Sequence, residues 1–121
     1  MKRDMDLLRA LLLKIEEMPY SGGHLMGGIQ IPGHSDEEVS YHAQLAQDEG
    51  FIIAKFLKPT TYFAVERLTS DGHNFLDLAR DDTRWSKAKE KVTSATGTLT
   101  IEALKTALNA LVQAAVKAAL S

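Results

Sequence analysis

An α+β domain, mainly α and of winged-helix type, is predicted by three features of this 121-residue sequence. Apolar residues recur at helical spacing in separate stretches near the start, the middle and the end. Two runs rich in β-branched and aromatic residues, Phe51 to Leu57 and Tyr62 to Leu68, are separated by only Lys58-Pro59-Thr60-Thr61, the length of a hairpin turn. The resulting order is helix, short strand, helix, β-hairpin wing, helix, followed by an additional C-terminal amphipathic helix. We expect residues 1–93 to form the winged-helix-like domain and residues 94–121 a helix that docks on it or mediates self-association.

The opening helix is predicted over residues 3–17. Leu7, Leu8, Leu11, Leu12 and Ile15 fall on one side, and Asp4 and Asp6 sit in the first turn, where the helix dipole favours negative charge. Met18 to Ser35 holds five glycines and two prolines, which break helices, and only Gly28-Ile29-Gln30-Ile31 looks extended. Ser35 precedes Asp36, Glu37 and Glu38 in the spacing of a capping box, so a second helix is predicted over 36–49. Its inward stripe is Val39, His42, Ala43 and Ala46 with Leu45 beside them, and Gly50 suits the left-handed residue past its end. After the hairpin, Thr69 or Ser70 is placed to cap a helix with Phe75, Leu76 and Ala79, then Trp85, Ala88 and Val92, on its core face, long or bent near Asp81-Asp82. Ser94-Ala95-Thr96-Gly97 reads as a break before an Ala- and Leu-rich helix over 98–120.

Composition narrows the function classes. The formal net charge of -2 gives no global attraction to nucleic acid or anionic lipid. There are no cysteines, which removes disulfides, thiolate zinc sites and cysteine nucleophiles and makes a reducing cytoplasm the expected location. Arg9 interrupts the first apolar run, against a secretion signal, and the longest uncharged stretch is too rich in Gly and Pro for a membrane helix.

Val39-Ser40-Tyr41-His42, with Gly50-Phe51-Ile52 after it, resembles the passage from reading helix through glycine to strand in bacterial winged-helix repressors. Where those repressors place the first helix of the helix-turn-helix, this chain has the Gly/Pro-rich segment 19–34. Three blocks in order, MKRDMDLLRALLLKIEE, YHAQLAQDEGFI and RLTSDGHNFLDLARDDTRWSKAKEK, resemble the bacterial and phage family called domain of unknown function 2513. The resemblance implies a winged-helix fold and a frequent prophage context. It supplies no activity and no site residues.

Charge along the chain argues against the usual task of such a helix. Lys and Arg set against Asp and Glu balance over residues 1–34, whereas 35–50 holds Asp36, Glu37, Glu38, Asp48 and Glu49 and no cation. A carboxylate about 7 Å from a phosphate costs on the order of 0.6 kcal/mol even at the dielectric constant of water. Ser40, Gln44 and Gln47 have side chains able to bond base edges, and Tyr41 can stack, but with little cationic help nearby. The better basic candidates are Lys55, Lys58 and Arg67 on the hairpin, and Arg84, Lys87, Lys89 and Lys91 beyond it.

Catalytic and metal constellations are thin. Glu38/His42 and His73/Asp77 are each i, i+4 pairs, but two ligands do not make a site. His42 lies on the core side of its helix, and His73, beside a glycine in a first helical turn, reads as a structural hydrogen-bond donor. Asp81 and Asp82 diverge by about 100° on a helix and do not converge on a substrate. Serine nucleophile elbows, phosphate-binding glycine loops and zincin motifs are absent. The expectation is a non-enzymatic cytoplasmic module without a cofactor. It binds a protein partner or itself, through an acidic face of Glu37, Tyr41, Gln44 and Asp48 and an apolar seam of Ile101, Leu104, Leu108 and Leu111. The alternative is a transcriptional regulator that holds DNA through Lys55, Lys58, Arg84, Lys87 and Lys91.

Overall fold

A computed structural model describes residues 1–121. The elements are α1 (Met5–Glu17), β1 (Met26–Gly27), α2 (Asp36–Asp48), β2 (Ile52–Phe56), β3 (Phe63–Leu68), α3 (Ser70–Ala79), α4 (Asp82–Thr96) and α5 (Ile101–Leu120). The α+β, mainly helical class and the predicted order hold: five helices accompany a three-stranded antiparallel sheet of order β1-β3-β2. Two compact units divide the chain, residues 1–74 and 75–121, with the boundary inside α3.

In the first unit α1 starts at Asp4, whose carboxylate accepts from the amides of Asp6 at 3.0 Å and Leu7 at 3.1 Å. Two of the amides that a helix start leaves without a partner are thereby satisfied. Met5, Leu7, Leu8, Leu11, Leu12 and Ile15 are buried, because α1 lies against both α2 and β3. Met18 is already extended and Pro19 follows, so the helix stops there.

The strand predicted at residues 28–31 lies earlier, at Met26 and Gly27, which pair with Val65 and Ala64. Gly28 adopts a left-handed φ of 75° and turns the chain off the sheet edge, leaving Ile29 to be buried outside the ladder. A Cβ at Gly27 would overlap the phenol of Tyr62, an exposed side chain that would have to swing aside.

The predicted capping box opens α2. The Glu38 amide donates to Ser35 Oγ at 3.1 Å, and Glu38 Oε1 accepts from the Ser35 amide at 3.0 Å. That amide hydrogen bond, and next the His34 ring 3.4 Å from the other carboxylate oxygen, hold the Glu38 carboxyl below its ordinary value of 4.5. The inner face buries Val39, Ser40, His42, Ala43 and Ala46 against α1 and β2, while Leu45 is half-buried. Gly50, at φ 76°, ends the helix, and the Gln47 side chain accepts from the Ala54 amide at 2.8 Å beside the bulge between Ile53 and Ala54.

β2 and β3 form the predicted hairpin, closed by Leu57 N–H donating to the Tyr62 carbonyl at 3.0 Å. Phe56 and Phe63 stack across it at 5.8 Å between ring centres. Thr69 then joins three elements. Its amide donates to the Phe51 carbonyl at 2.9 Å, its hydroxyl donates to the Gly50 carbonyl, and the same oxygen accepts from the Gly72 amide at 3.1 Å to start α3.

In the second unit the helix predicted as long or bent is two helices. Asp81 caps α4, accepting from the Arg84 amide at 2.7 Å, and Phe75 meets Trp85 edge-on at 6.3 Å. The break predicted at 94–97 begins later, since α4 runs to Thr96 and Gly97, at φ 77°, closes it. Thr100 caps α5, which buries Ile101, Leu104 and Leu108 and lies against α4. No helix is long and apolar enough to cross a membrane.

Two tests follow from this packing. Alanine in a helix is ordinarily better than glycine by about 1 kcal/mol, but a Cβ at residue 72 would overlap the Phe51 carbonyl oxygen, a backbone atom with little room to shift. Gly72→Ala should therefore destabilise by about 1–3 kcal/mol, read as a lower thermal midpoint; a raised midpoint contradicts the packing. For Glu38, a folded-state pKa below the unfolded one means that its contribution is present above 4.5 and is lost as pH falls through the folded value. The stability difference between the native chain and Glu38→Gln should shrink on acidification through that range; a difference that stays constant with pH removes the carboxylate from the cap.

Candidate interaction surface

The outward side of α2 carries the acidic face. Glu37 and Asp48 are exposed, and Tyr41 and Gln44, half-buried, lie between them along the helix. Neither Glu37 nor Asp48 takes part in an ion pair or hydrogen bond through its side chain, and α2 offers no cation of its own. Only Glu38 has a cationic neighbour, His34, when that ring is protonated. Tyr41 is steadied by its edge contact with the His42 ring, 5.8 Å between centres. The face is thus a rigid, solvated strip with uncompensated negative charge.

The base-reading candidates on the same helix fare differently. Ser40 is 6% exposed, and the Gln47 side-chain oxygen is occupied by the Ala54 amide. Gln44 alone of the three is both accessible and uncommitted. The sequence signal for this was partial: Ser40 adjoins the apolar stripe, but the reach of Gln47 to β2 depends on tertiary structure.

His42 takes structural partners, whereas the exposed His73 ring makes no hydrogen bond of the kind expected of it. His42, 1% exposed, approaches the Glu38 backbone carbonyl through Nδ1 at 2.8 Å, not the Glu38 carboxylate, and its Nε2 accepts from the Asp4 amide at 2.8 Å. His73 and Asp77 are exposed, and Asp77 pairs with Arg80 at 3.2 Å. No group of three or more His, Asp or Glu side chains converges as metal ligands. Asp81 is a helix cap, so Asp81-Asp82 is not a convergent acid pair.

The apolar seam predicted on α5 is mostly used within the chain. Ile101 is 3% exposed and Leu104 and Leu108 are fully buried, which removes them as contacts for a second molecule; Leu111 is half-buried. What α5 leaves open is a different stripe. Val112 is half-buried, Val116 is 46% exposed and Leu120 is 83% exposed, one turn apart, with Ala115 and Ala119 exposed beside them. That i, i+4 repeat stands in the sequence, but the Leu repeat at 104, 108 and 111 is the stronger signal and hides it.

The basic candidates divide between the two units. Lys55, Lys58 and Arg67 are exposed in the first, on or beside the hairpin, with Arg67 also donating to the Leu68 carbonyl at 3.1 Å. In the second, Lys87 and Lys91 are exposed one turn apart, Arg84 is half-buried and reaches the Leu78 carbonyl at 3.4 Å, and Lys89 lies over the Trp85 ring at 5.9 Å. A groove of about 320 Å³ in the first unit, unpredicted, is lined by Ile15, Met18, Met26 and Leu68, with Tyr20 and His73 among its other lining residues.

A curated relative from Haemophilus influenzae, called "Uncharacterized protein", is 37% identical over 108 residues, which cover 87% of this chain and 90% of that protein. No solved structure matches the chain. The family model described as "Hypothetical protein (DUF2513)" matches residues 2–98, from the start of the chain to just past α4, and the chain belongs to that family.

Proposed function

We propose that this protein is a non-enzymatic interaction module. It engages a protein partner through the acidic outer face of α2, and it associates with itself through the outer stripe of α5. The observation that carries the reading is the state of Glu37 and Asp48: exposed, outside any ion pair, and fixed on a helix anchored by its capping box and buried inner face. A basic patch on a partner gains attraction from such a strip without first breaking internal ion pairs, and the carboxylates also repel phosphate.

Self-association has separate support. Val116 and Leu120 expose aliphatic surface on an ordered helix; covering Leu120 would contribute about 1.5–3 kcal/mol and covering the half-exposed Val116 about half as much. Catalysis is disfavoured because Glu38 and Asp81 serve as caps, Asp77 is an ion-pair partner and His42 is bonded to backbone.

A DNA-binding regulator remains the second reading, favoured by exposed Lys55 and Lys58 on the hairpin and by Lys87 and Lys91 on α4. The two readings separate by charge reversal. On the protein-partner reading, the native chain gives no gel shift with duplex DNA at low salt, and Lys58→Glu with Lys87→Glu changes nothing. A shift that this double variant abolishes establishes the regulator instead. Affinity capture from the native host should recover a partner that Glu37→Lys with Asp48→Lys fails to hold; equal recovery by both chains rejects the acidic face. Light scattering should find a concentration-dependent mass that Val116→Glu with Leu120→Glu reduces to a monomer with an unchanged thermal midpoint.

A further inference from the structure

We propose that the groove beside β1 docks an extended segment of a protein partner, which joins the sheet along an open edge of β3 and sets a basic residue against the carboxylates of the groove. The sheet is uneven at this place. β2 accompanies β3 as far as Leu68, the partner of Ile52, whereas β1 pairs only with Ala64 and Val65. On the β1 side, therefore, Glu66, Arg67 and Leu68 have no strand beside them. Such an edge offers backbone donors and acceptors that a further strand can take up.

The chain does not cover this edge itself. Extending β1 backwards in its register would set Leu25 opposite Glu66 and His24 opposite Arg67. Instead Gly22 and Gly23 take left-handed φ values of 71° and 91°, and the Ser21 hydroxyl donates to the His24 carbonyl, so the segment before β1 is a turn.

The groove of about 320 Å³ opens beside the uncovered stretch, since Met26 of β1 and Val65 to Leu68 of β3 all line it. Ile15, Met18 and Tyr20 add apolar surface, and Tyr20 is 79% exposed. Methionine adapts its shape to varied side chains. A strand sends alternate side chains to opposite faces, so an aliphatic residue of the added segment can enter the groove while its backbone pairs with β3. The charged lining residues are Glu16, Glu66 and Arg67. Arg67 is committed to the Glu66 carboxylate at 3.6 Å and to the Leu68 carbonyl at 3.1 Å. With two carboxylates against one cation, the lining complements a Lys or Arg on the incoming segment. A helix satisfies its own backbone and would leave the edge of β3 unused, which is why the occupant is extended. This site goes beyond the acidic face of α2 and shares no residue with it.

The test selects random heptapeptides displayed on phage against the full chain and then uses synthetic copies of the enriched sequence. Enriched peptides should alternate aliphatic residues and carry Lys or Arg, and they should shift the amide resonances of Glu66, Arg67 and Leu68 in the isotope-labelled chain. Methylating the peptide's backbone nitrogens one at a time should, in at least one position, weaken binding roughly tenfold, the loss of one hydrogen bond. Met18→Lys and Glu66→Lys should each weaken it as well, whereas Glu37→Lys with Asp48→Lys should leave it unchanged, so failure here and failure of the α2 face are read separately. The docking site is overturned if no sequence is enriched, if the peptide binds as a helix, if its resonance shifts lie away from β3, or if N-methylation is without effect at every position. Contacts from Leu25 to Glu66 across a strand pair in the free chain also overturn it, because the edge is then covered from within. If Met18→Lys does not fold, Glu66→Lys and the methylated peptides on the unsubstituted chain decide the question.

Discussion

Residues 1–74 close around α1, and its two-sided burial is the constraint from which the rest of that unit follows. The helix contacts α2 and β3, so its buried residues cannot keep to the narrow seam of a helix with one neighbour; Met5, Leu7, Leu8, Leu11, Leu12 and Ile15 cover a broad sector. Apolar burial of that kind is strong but carries little directional information. Direction comes from a few polar pins: the Asp4 cap, the Asp4 amide bond to His42, and Thr69, which fixes the start of α3 to the end of α2. Position 42 illustrates the division. An aliphatic side chain there would fill the interior, but it would leave the Asp4 amide without that acceptor, a loss on the order of 1–3 kcal/mol if the amide stays dry.

Much of this architecture was legible because local chemistry specified it. The capping box at Ser35 and Glu38, Gly50 past the end of α2 and the four-residue hairpin turn each determine backbone within a few residues, and each appears where the sequence predicts it. The errors fall where the deciding partner is distant. β1 lies at 26–27 because Val65 and Ala64 are there to receive it and Gly28 then turns away, and nothing local to Gly28-Ile29-Gln30-Ile31 discloses that. For the surface, Glu37, Tyr41, Gln44 and Asp48 lie on the outer side of α2 as the inward stripe implies. The His42 partner, 38 residues away in sequence, and the spent side chain of Gln47 required the tertiary structure.

The likeness of α2 to a base-reading helix weakens for steric reasons as well as electrostatic ones. A reading helix has to present several hydrogen-bonding side chains along one accessible side and lean on phosphates through cations. Here Ser40 is buried, Gln47 is committed to β2, and no Lys or Arg lies between residues 35 and 50. The polar side chains that look available for bases in the sequence are partly consumed in holding α2 to its neighbours. What remains outward is carboxylate, an aromatic ring and one amide, a set better matched to a basic protein surface than to a groove walled by phosphate.

The end of α5 presents a separate physical problem. With 20 residues it extends about 30 Å, against about 22 Å for the 15 residues of α4. Residues 113–121 are all exposed, so the last two turns are helical without cover, and Val116 and Leu120 sit within them. Alanine, with the lowest cost of any residue in a helix, keeps such an end ordered, which explains why Ala114, Ala115, Ala118 and Ala119 surround the two larger side chains. Two turns with one aliphatic stripe offer far less than the ~800 Å² per partner of a standard stable interface. Contact through this stripe alone would therefore be weak and concentration-dependent, and firm association would require it to act together with a second surface.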